Sequence, residues 1–184
     1  PPSADEMQVS VSEICEDYGI DYWIWANVIG TLPGSTASEL ARHEALYAQL
    51  PRLDAVFVPG GDPGDNNPLE VMAYLEQLAT VLHNHHPNAE LWVSNQGFEP
   101  EENDAFFDYL ATEQPTWLTG VVYGPWIKLS MAEERQRTPG RYPIRHYPDI
   151  THNVRCQFPQ RDMDRAYAHA LGRELFGGLD HLGE

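Results

Sequence analysis

The stretch that decides the fold is residues 54–64, which read Asp54-Ala55-Val56-Phe57-Val58-Pro59-Gly60-Gly61-Asp62-Pro63-Gly64. Its first half is a short apolar run bounded by turn residues, so it predicts a buried strand. The glycines of its second half allow positive φ and let backbone approach a ligand closely. Ligands of α/β proteins bind at the carboxyl ends of parallel strands, so Asp62 is the first candidate for chemistry. A plain turn capped by Asp62 is the open alternative.

The composition predicts one globular domain with an acidic surface. Of the 184 residues, 42% are hydrophobic, which is enough for a core, and the formal net charge is -17. That charge argues against nucleic acid and against anionic membrane surfaces, and it favours a neutral or cationic ligand. The start of the chain lacks the basic-then-apolar pattern of a signal peptide, which leaves the compartment unassigned. Cys15 and Cys156 have no metal-type spacing, and two free thiols are favoured over a disulfide.

Helical and strand patterns alternate along the chain. The predicted helices cover residues 7–18, 38–49, 68–84, 101–112, 130–137 and 162–176, and the predicted strands cover 21–27, 54–58, 90–95, 117–123 and 142–147. The first helix has an apolar stripe and ends at Gly19. Ser38 and Ser130 are the predicted N-caps of the second and fifth helices. Alternation of this kind implies a mostly parallel sheet with right-handed crossovers.

Two architectures fit this pattern: an open doubly wound sheet, or part of a (β/α)8 TIM barrel. Polar, aromatic or Gly/Pro residues follow every predicted strand, at Asn27, Asp62, Asn95-Gln96, residues 123–126 and residues 146–149. In a barrel all these ends converge on one face, where the active site lies. We therefore predict an α/β, TIM-barrel-like domain spanning residues 1–184. Five strands and the absence of an initiator Met favour a barrel fragment over a whole barrel, which needs about 250 residues.

The polar residues at the strand ends are of the types that bind sugars. The sequence has no phosphate loop, no dinucleotide-binding glycine motif and no nucleophile elbow. Acids and amides can bond sugar hydroxyls, and aromatic faces can stack on the ring. The predicted substrate-binding residues are Asn27, Asn95, Gln96, Tyr123, Trp126, His146 and His152. Trp23, Trp25 and Trp92 alternate along strands, which is more typical of a core.

Three segments resemble a known group of enzymes. Val58-Pro59-Gly60-Gly61-Asp62 is similar to the strand-four end of family 20 glycoside hydrolases, the β-N-acetylhexosaminidases, whose pattern is His-x-Gly-Gly-Asp-Glu. Residues 119–125 are similar to the strand-six Trp-Thr-Gly-Pro region of the related family 84 enzymes. Residues 145–153 are similar in placement to their strand-seven Trp-Asp-Asn-Tyr segment. The resemblance implies a barrel that hydrolyses amino-sugar glycosides with help from the N-acetyl group of the substrate.

The resemblance assigns Asp62 the role of polarising the acetamido group. Pro63 occupies the position of the catalytic Glu in those enzymes, so no acid directly follows Asp62. Asp65 could reach back as the general acid if the loop folds over, and Asp149 is the third predicted catalytic residue. Two alternatives remain: a non-catalytic sugar-binding domain, and a metal-dependent enzyme that uses Asp62, His146 and His152. The metal alternative is the less favoured, so no metal or cofactor is predicted. For Arg145 and Arg155, salt bridges to the abundant acids are favoured over contact with a substrate carboxylate.

Overall fold

Five parallel strands form one sheet in the computed structural model, which describes residues 2–62, 65–124 and 126–146. The strands are β1 (Trp23–Trp25), β2 (Ala55–Val58), β3 (Glu90–Val93), β4 (Gly120–Tyr123) and β5 (Ile144–His146). They lie in the order β1-β2-β3-β4-β5, and each neighbouring pair is parallel. The predicted α/β alternation and parallel sheet are confirmed. The predicted helix over residues 162–176 lies outside the described residues.

Five helices alternate with these strands: α1 (Ala4–Tyr18), α2 (Thr36–Tyr47), α3 (Pro68–His85), α4 (Pro100–Thr112) and α5 (Met131–Arg137). Gly19 ends α1 with a left-handed φ of 65°, as predicted. Ser130 caps α5 through a capping box, also as predicted. The predicted cap at Ser38 is wrong. Helix α2 begins two residues earlier, and the Ser38 hydroxyl donates to the Ser35 carbonyl at 2.8 Å inside its first turn.

One face of the sheet carries the helices and the main core. Alternate strand residues point to this face: Ile24, Val56, Val58, Leu91, Val93 and Val121. They pack with buried side chains of α2, α3 and α4, among them Leu46, Leu75, Leu78 and Phe106. Burial of each such side chain contributes about 1.5–3 kcal/mol, so this layer is the main source of stability.

The opposite face of the sheet is aromatic. Phe57 and Trp92 are each 1% exposed and form a separate cluster with Ala55, Val122 and Trp23. The Arg145 guanidinium lies 4.4 Å from the ring centroids of both Trp23 and Trp92. It also lies 3.8 Å from the Glu90 carboxylate. Arg145 thus makes cation–π contacts with two tryptophans and an ionic contact with Glu90, in agreement with the prediction that it pairs with an acid. Arg155 lies outside the described residues.

Helix α1 buries a polar residue and exposes most of its predicted apolar stripe. Ser12 is fully buried, and its hydroxyl donates to the Arg52 carbonyl at 2.6 Å. The predicted apolar stripe instead faces outward, since its members Met7, Val11, Ile14 and Tyr18 are 46–77% exposed. Its fifth member, Cys15, is half-buried and is a free thiol. The 3.6-residue period therefore identified the helix correctly, but it did not identify the face that packs on the core.

Candidate functional site

The loops that follow β2 and β3 interlock through their backbones. Gly60 has a φ of 65°, and a Cβ placed there would lie 2.3 Å from the Ser94 carbonyl oxygen. The Gly61 N–H donates to the Gln96 carbonyl at 3.0 Å. Only glycine combines this positive φ with so close an approach. Gly60 and Gly61 therefore join the ends of β2 and β3, and this contact fixes where Asp62 lies.

Asp62 and Gln96 form a side-chain pair at these strand ends. The Gln96 Nε2 donates to the Asp62 Oδ2 at 3.0 Å. Asp62 is exposed, whereas Gln96 is 3% exposed. The next residue along the β3 loop, Gly97, has a φ of 82°, and its N–H donates to the Trp126 carbonyl at 3.3 Å. The loop after β4 is thereby joined to the other two, and we call Asp62, Gln96 and Trp126 the site cluster.

Aromatic side chains extend this edge of the sheet. Trp126 is 52% exposed and has a φ of 60°, which is unfavourable for a bulky residue by about 1–2 kcal/mol. The rings of Tyr123 and His146, paired in register at the ends of β4 and β5, have centroids 5.7 Å apart. The Tyr123 hydroxyl donates to the Leu129 carbonyl at 3.1 Å. The edge therefore combines a carboxylate, an amide, an imidazole and two aromatic rings.

The structure does not bring every predicted site residue to this edge. Asn95 is fully buried, and its Nδ2 donates to the Asn103 Oδ1 at 2.6 Å and to the Glu134 Oε2 at 3.1 Å. Its amide thus ties β3 to α4 and α5. Asn27 is half-buried, and its backbone carbonyl accepts from the Arg42 Nη2 at 3.4 Å.

Of the two candidates for the general acid, only Asp65 lies among the described residues. Asp65 is exposed and has a φ of 48°, which an Asp tolerates better than most residues. Asp149 lies outside the described residues, as does the predicted ligand-binding His152. Within residues 2–62, 65–124 and 126–146, no group of three His, Cys, Asp or Glu side chains is placed to hold a metal ion.

A second polar cluster lies on α2 and α3 and was not predicted from the sequence. The Glu39 carboxylate accepts from the backbone N–H of Ile29 at 3.2 Å and of Gly30 at 3.1 Å, and from the Arg42 Nη2 at 2.8 Å. The Arg42 Nη2 also lies 3.1 Å from the His43 Nε2. Two buried tyrosines lie beside these groups, and we call the whole set the interior cluster: Glu39, Arg42, His43, Tyr47 and Tyr74. Its only sequence signal is the helical spacing of Glu39, Arg42 and His43.

Burial dominates the electrostatics of the interior cluster. Loss of hydration, assisted by the Arg42 charge, lowers the pKa of His43 from 6.5 to about 4. Burial likewise raises the pKa of Tyr47 and of Tyr74 well above the usual value of a phenol. For Glu39, burial acts in the opposite direction from its hydrogen bonds with Arg42 and Gly30. The hydrogen bonds prevail and lower its pKa.

No protein-family model matches the chain, and no curated protein is significantly similar to it. In the part of the chain that the structure describes, no helix is both long and apolar enough to cross a membrane.

Proposed function

We propose that the sheet is an arc of a (β/α) barrel. The support is its strand order, which follows the chain from β1 to β5 with every pair parallel. A doubly wound sheet reverses its strand order at a switch point and carries helices on both faces. Here α2, α3 and α4 pack on one face, and the aromatic cluster with Trp92 covers the other. In such an arc the aromatic face is the barrel interior, and the carboxyl ends of the strands form the functional face.

We further infer that this functional face binds a carbohydrate and hydrolyses its O-glycosidic bond. The observation that carries the inference is the Gln96–Asp62 hydrogen bond of 3.0 Å, which orients an exposed carboxylate beside the loop that bears Trp126. Carboxylates and amides bind sugar hydroxyls and acetamido groups, and an exposed indole can cover the apolar face of a sugar ring. A neutral sugar also suits a chain of formal net charge -17.

The reaction proposed first is substrate-assisted hydrolysis of an N-acetylamino sugar. Asp62 accepts a hydrogen bond from the acetamido N–H, and the acetamido oxygen attacks the anomeric carbon. The glycosidic bond breaks as the leaving oxygen takes a proton from a general acid. Water then attacks the anomeric carbon and gives a proton to the ionised acid, while the bond to the acetamido oxygen breaks. The acid and the acetamido group are thereby regenerated, and two inversions retain the anomeric configuration. Asp65 and Asp149 are the acids to test, because Pro63 follows Asp62 directly.

Asp62→Asn is the decisive variant for this proposal. We expect the 184-residue chain to hydrolyse an aryl N-acetyl-β-glucosaminide or another aryl glycoside, and the variant to lose about 100-fold or more in kcat. Asp108→Asn, which changes an exposed Asp of α4, is the matched control and should retain full activity. Thermal unfolding of both variants checks that the fold is intact. Equal turnover in Asp62→Asn and wild type would mean that Asp62 has no catalytic role.

A non-catalytic sugar-binding domain is the second candidate. It is favoured by the partner of Asp62, which is an amide and not a second carboxyl group, and by the proline that follows it. Titration calorimetry with N-acetylglucosamine and with a uronic acid separates the two candidates. Binding that Asp62→Asn abolishes, without turnover of any aryl glycoside by the wild type, supports this candidate. Absence of both binding and turnover contradicts both.

A further inference from the structure

Three buried polar atoms of the interior cluster have no hydrogen-bond partner among the residues that the structure describes. They are the His43 Nδ1, the Tyr47 hydroxyl and the Tyr74 hydroxyl. Each of these residues is 1% exposed. His43 and Tyr47 lie one turn apart on α2, with ring centroids 5.4 Å apart, and Tyr74 lies on α3. Helix α2 packs on α3, and Tyr47 and Tyr74 belong to the same buried core cluster.

The contact with Arg42 fixes the polarity of the His43 ring. A guanidinium only donates hydrogen bonds, so the His43 Nε2, which lies 3.1 Å from the Arg42 Nη2, must accept. In a neutral imidazole the proton then resides on Nδ1. His43 therefore presents an N–H donor for which residues 2–62, 65–124 and 126–146 provide no acceptor, and the two phenols can each donate and accept.

Leaving all three groups unsatisfied is unfavourable. A buried donor or acceptor without a partner costs about 1–3 kcal/mol, and native proteins rarely contain several in one place. The ligand that satisfies them must be small and uncharged. Arg42, within hydrogen-bonding distance of His43, disfavours a cation, and the Glu39 carboxylate, 7% exposed, disfavours an anion. Buried water typically makes about three hydrogen bonds to such groups.

We propose that one ordered water molecule is bound between α2 and α3, where it accepts from the His43 Nδ1–H and bonds the hydroxyls of both Tyr47 and Tyr74. The water completes the hydrogen bonding of the interior cluster, and it links two neighbouring helices through a polar contact. This site is separate from Asp62, so it does not depend on the proposed glycosidase activity.

The sign of the change in Tm on Tyr→Phe substitution tests the proposal. If a water bridges the hydroxyls, Tyr47→Phe and Tyr74→Phe each remove a hydrogen bond, and Tm falls by about 2–4 °C. If the hydroxyls are dry, each substitution removes an unsatisfied group, and Tm rises. Tyr142→Phe calibrates the measurement, because its buried hydroxyl donates directly to the Pro115 carbonyl at 3.1 Å. All three variants preserve the ring and the packing.

Water itself is detected by ¹⁷O magnetic relaxation dispersion of the wild-type protein and of the double variant Tyr47→Phe/Tyr74→Phe. The proposal expects a long-lived internal water in the wild type that is lost in the double variant, which retains only the His43 donor. It also expects the two Tm decreases to be less than additive, because both phenols hold the same water. A rise in Tm in either single variant overturns the proposal. So does an equal dispersion amplitude in the wild type and the double variant.

Discussion

The site cluster and the interior cluster are both polar, but they are held in opposite ways. Asp62 of the site cluster is exposed, and close backbone contacts at Gly60, Gly61 and Gly97 fix its position. The interior cluster lies on regular helices and is fixed by burial of its side chains, as at His43, which is 1% exposed. The strongest pKa changes belong to the interior cluster, at His43 and the two tyrosines. In this protein the largest pKa changes therefore mark buried side chains, whereas the proposed ligand site is defined by backbone contacts.

Gly60→Ala tests whether backbone contacts fix the site cluster, and it has the largest expected effect on stability. The substitution combines a left-handed φ with a Cβ placed 2.3 Å from the Ser94 carbonyl oxygen. We expect a loss of about 4 kcal/mol in the free energy of unfolding, measured by urea denaturation. Any sugar binding that depends on Asp62 should be lost with it, because the β2 loop must move away from Gln96.

Gly140→Ala is the matched control for this substitution. Gly140 is exposed, no atom lies within 4 Å of an added Cβ, and its φ is not positive. The change in stability should stay within about 0.5 kcal/mol. If Gly60→Ala were as mild as the control, the close contact between the loops would not be what positions Asp62.

The pH dependence of stability tests the second half of the comparison. The pKa of His43 is about 4 in the folded protein and near 6.5 when the chain is unfolded. Between these two values the unfolded chain binds a proton that the folded chain does not, so stability decreases as pH falls from about 6.5 to 4. The free energy of unfolding should therefore fall by about 3 kcal/mol over that window. His43 is buried beside Arg42, Tyr47 and Tyr74, and of its charged neighbours the Glu39 carboxylate opposes the lowering of its pKa.

His43→Gln removes this titration but keeps a side-chain oxygen that can accept from Arg42. Urea denaturation at several pH values between 7 and 4 should show a flatter decline in the variant than in the wild type. His85→Gln is the control, since His85 is half-buried at the end of α3 and contacts Glu44 at 3.8 Å. The idea fails if His43→Gln and the wild type lose stability in parallel while the pH is lowered.

The sequence predicted the elements of the fold better than it predicted their contacts. Strong local signals, such as the apolar run of β2 and the cap at Ser130, gave the order and type of the elements correctly. The strands are shorter than predicted, because flanking residues such as Asn95 belong to the loops that follow them. The outward stripe of α1 could not be predicted, since periodicity shows that a helix has two faces but not which of them meets the core.

The candidate site could be predicted only in outline. The convergence of strand ends follows from a parallel sheet, and it brought Asp62 and Gln96 together. The Asn95 side chain is buried because it donates hydrogen bonds to Asn103 on α4 and to Glu134 on α5. The local sequence around β3 does not indicate these partners. The interior cluster was missed for the same reason. Tyr74 lies near α2 because α3 packs against α2, and this tertiary contact has no signal in the local spacing of residues.

Gln96→Met gives the smallest expected change in stability and the sharpest contrast between the clusters. The substitution removes the amide that bonds Asp62 but keeps the volume of the side chain. Because the exposed Asp62 can bond water in its place, we expect a loss of about 1 kcal/mol at most in the free energy of unfolding. For the proposed sugar binding, the affinity should fall about tenfold, corresponding to about 1.4 kcal/mol, since Asp62 loses its orienting partner.

Gln77→Met, on the exposed side of α3, is the control and should change neither stability nor binding. A loss of stability for Gln96→Met as large as that of Gly60→Ala would mean that the Gln96 side chain is needed to hold the loops together. The site cluster would then resemble the interior cluster, with side-chain burial holding both. A small loss combined with weaker sugar binding has the opposite meaning. The backbone then supports the loops on its own, and the amide of Gln96 serves to orient the Asp62 carboxylate toward a ligand.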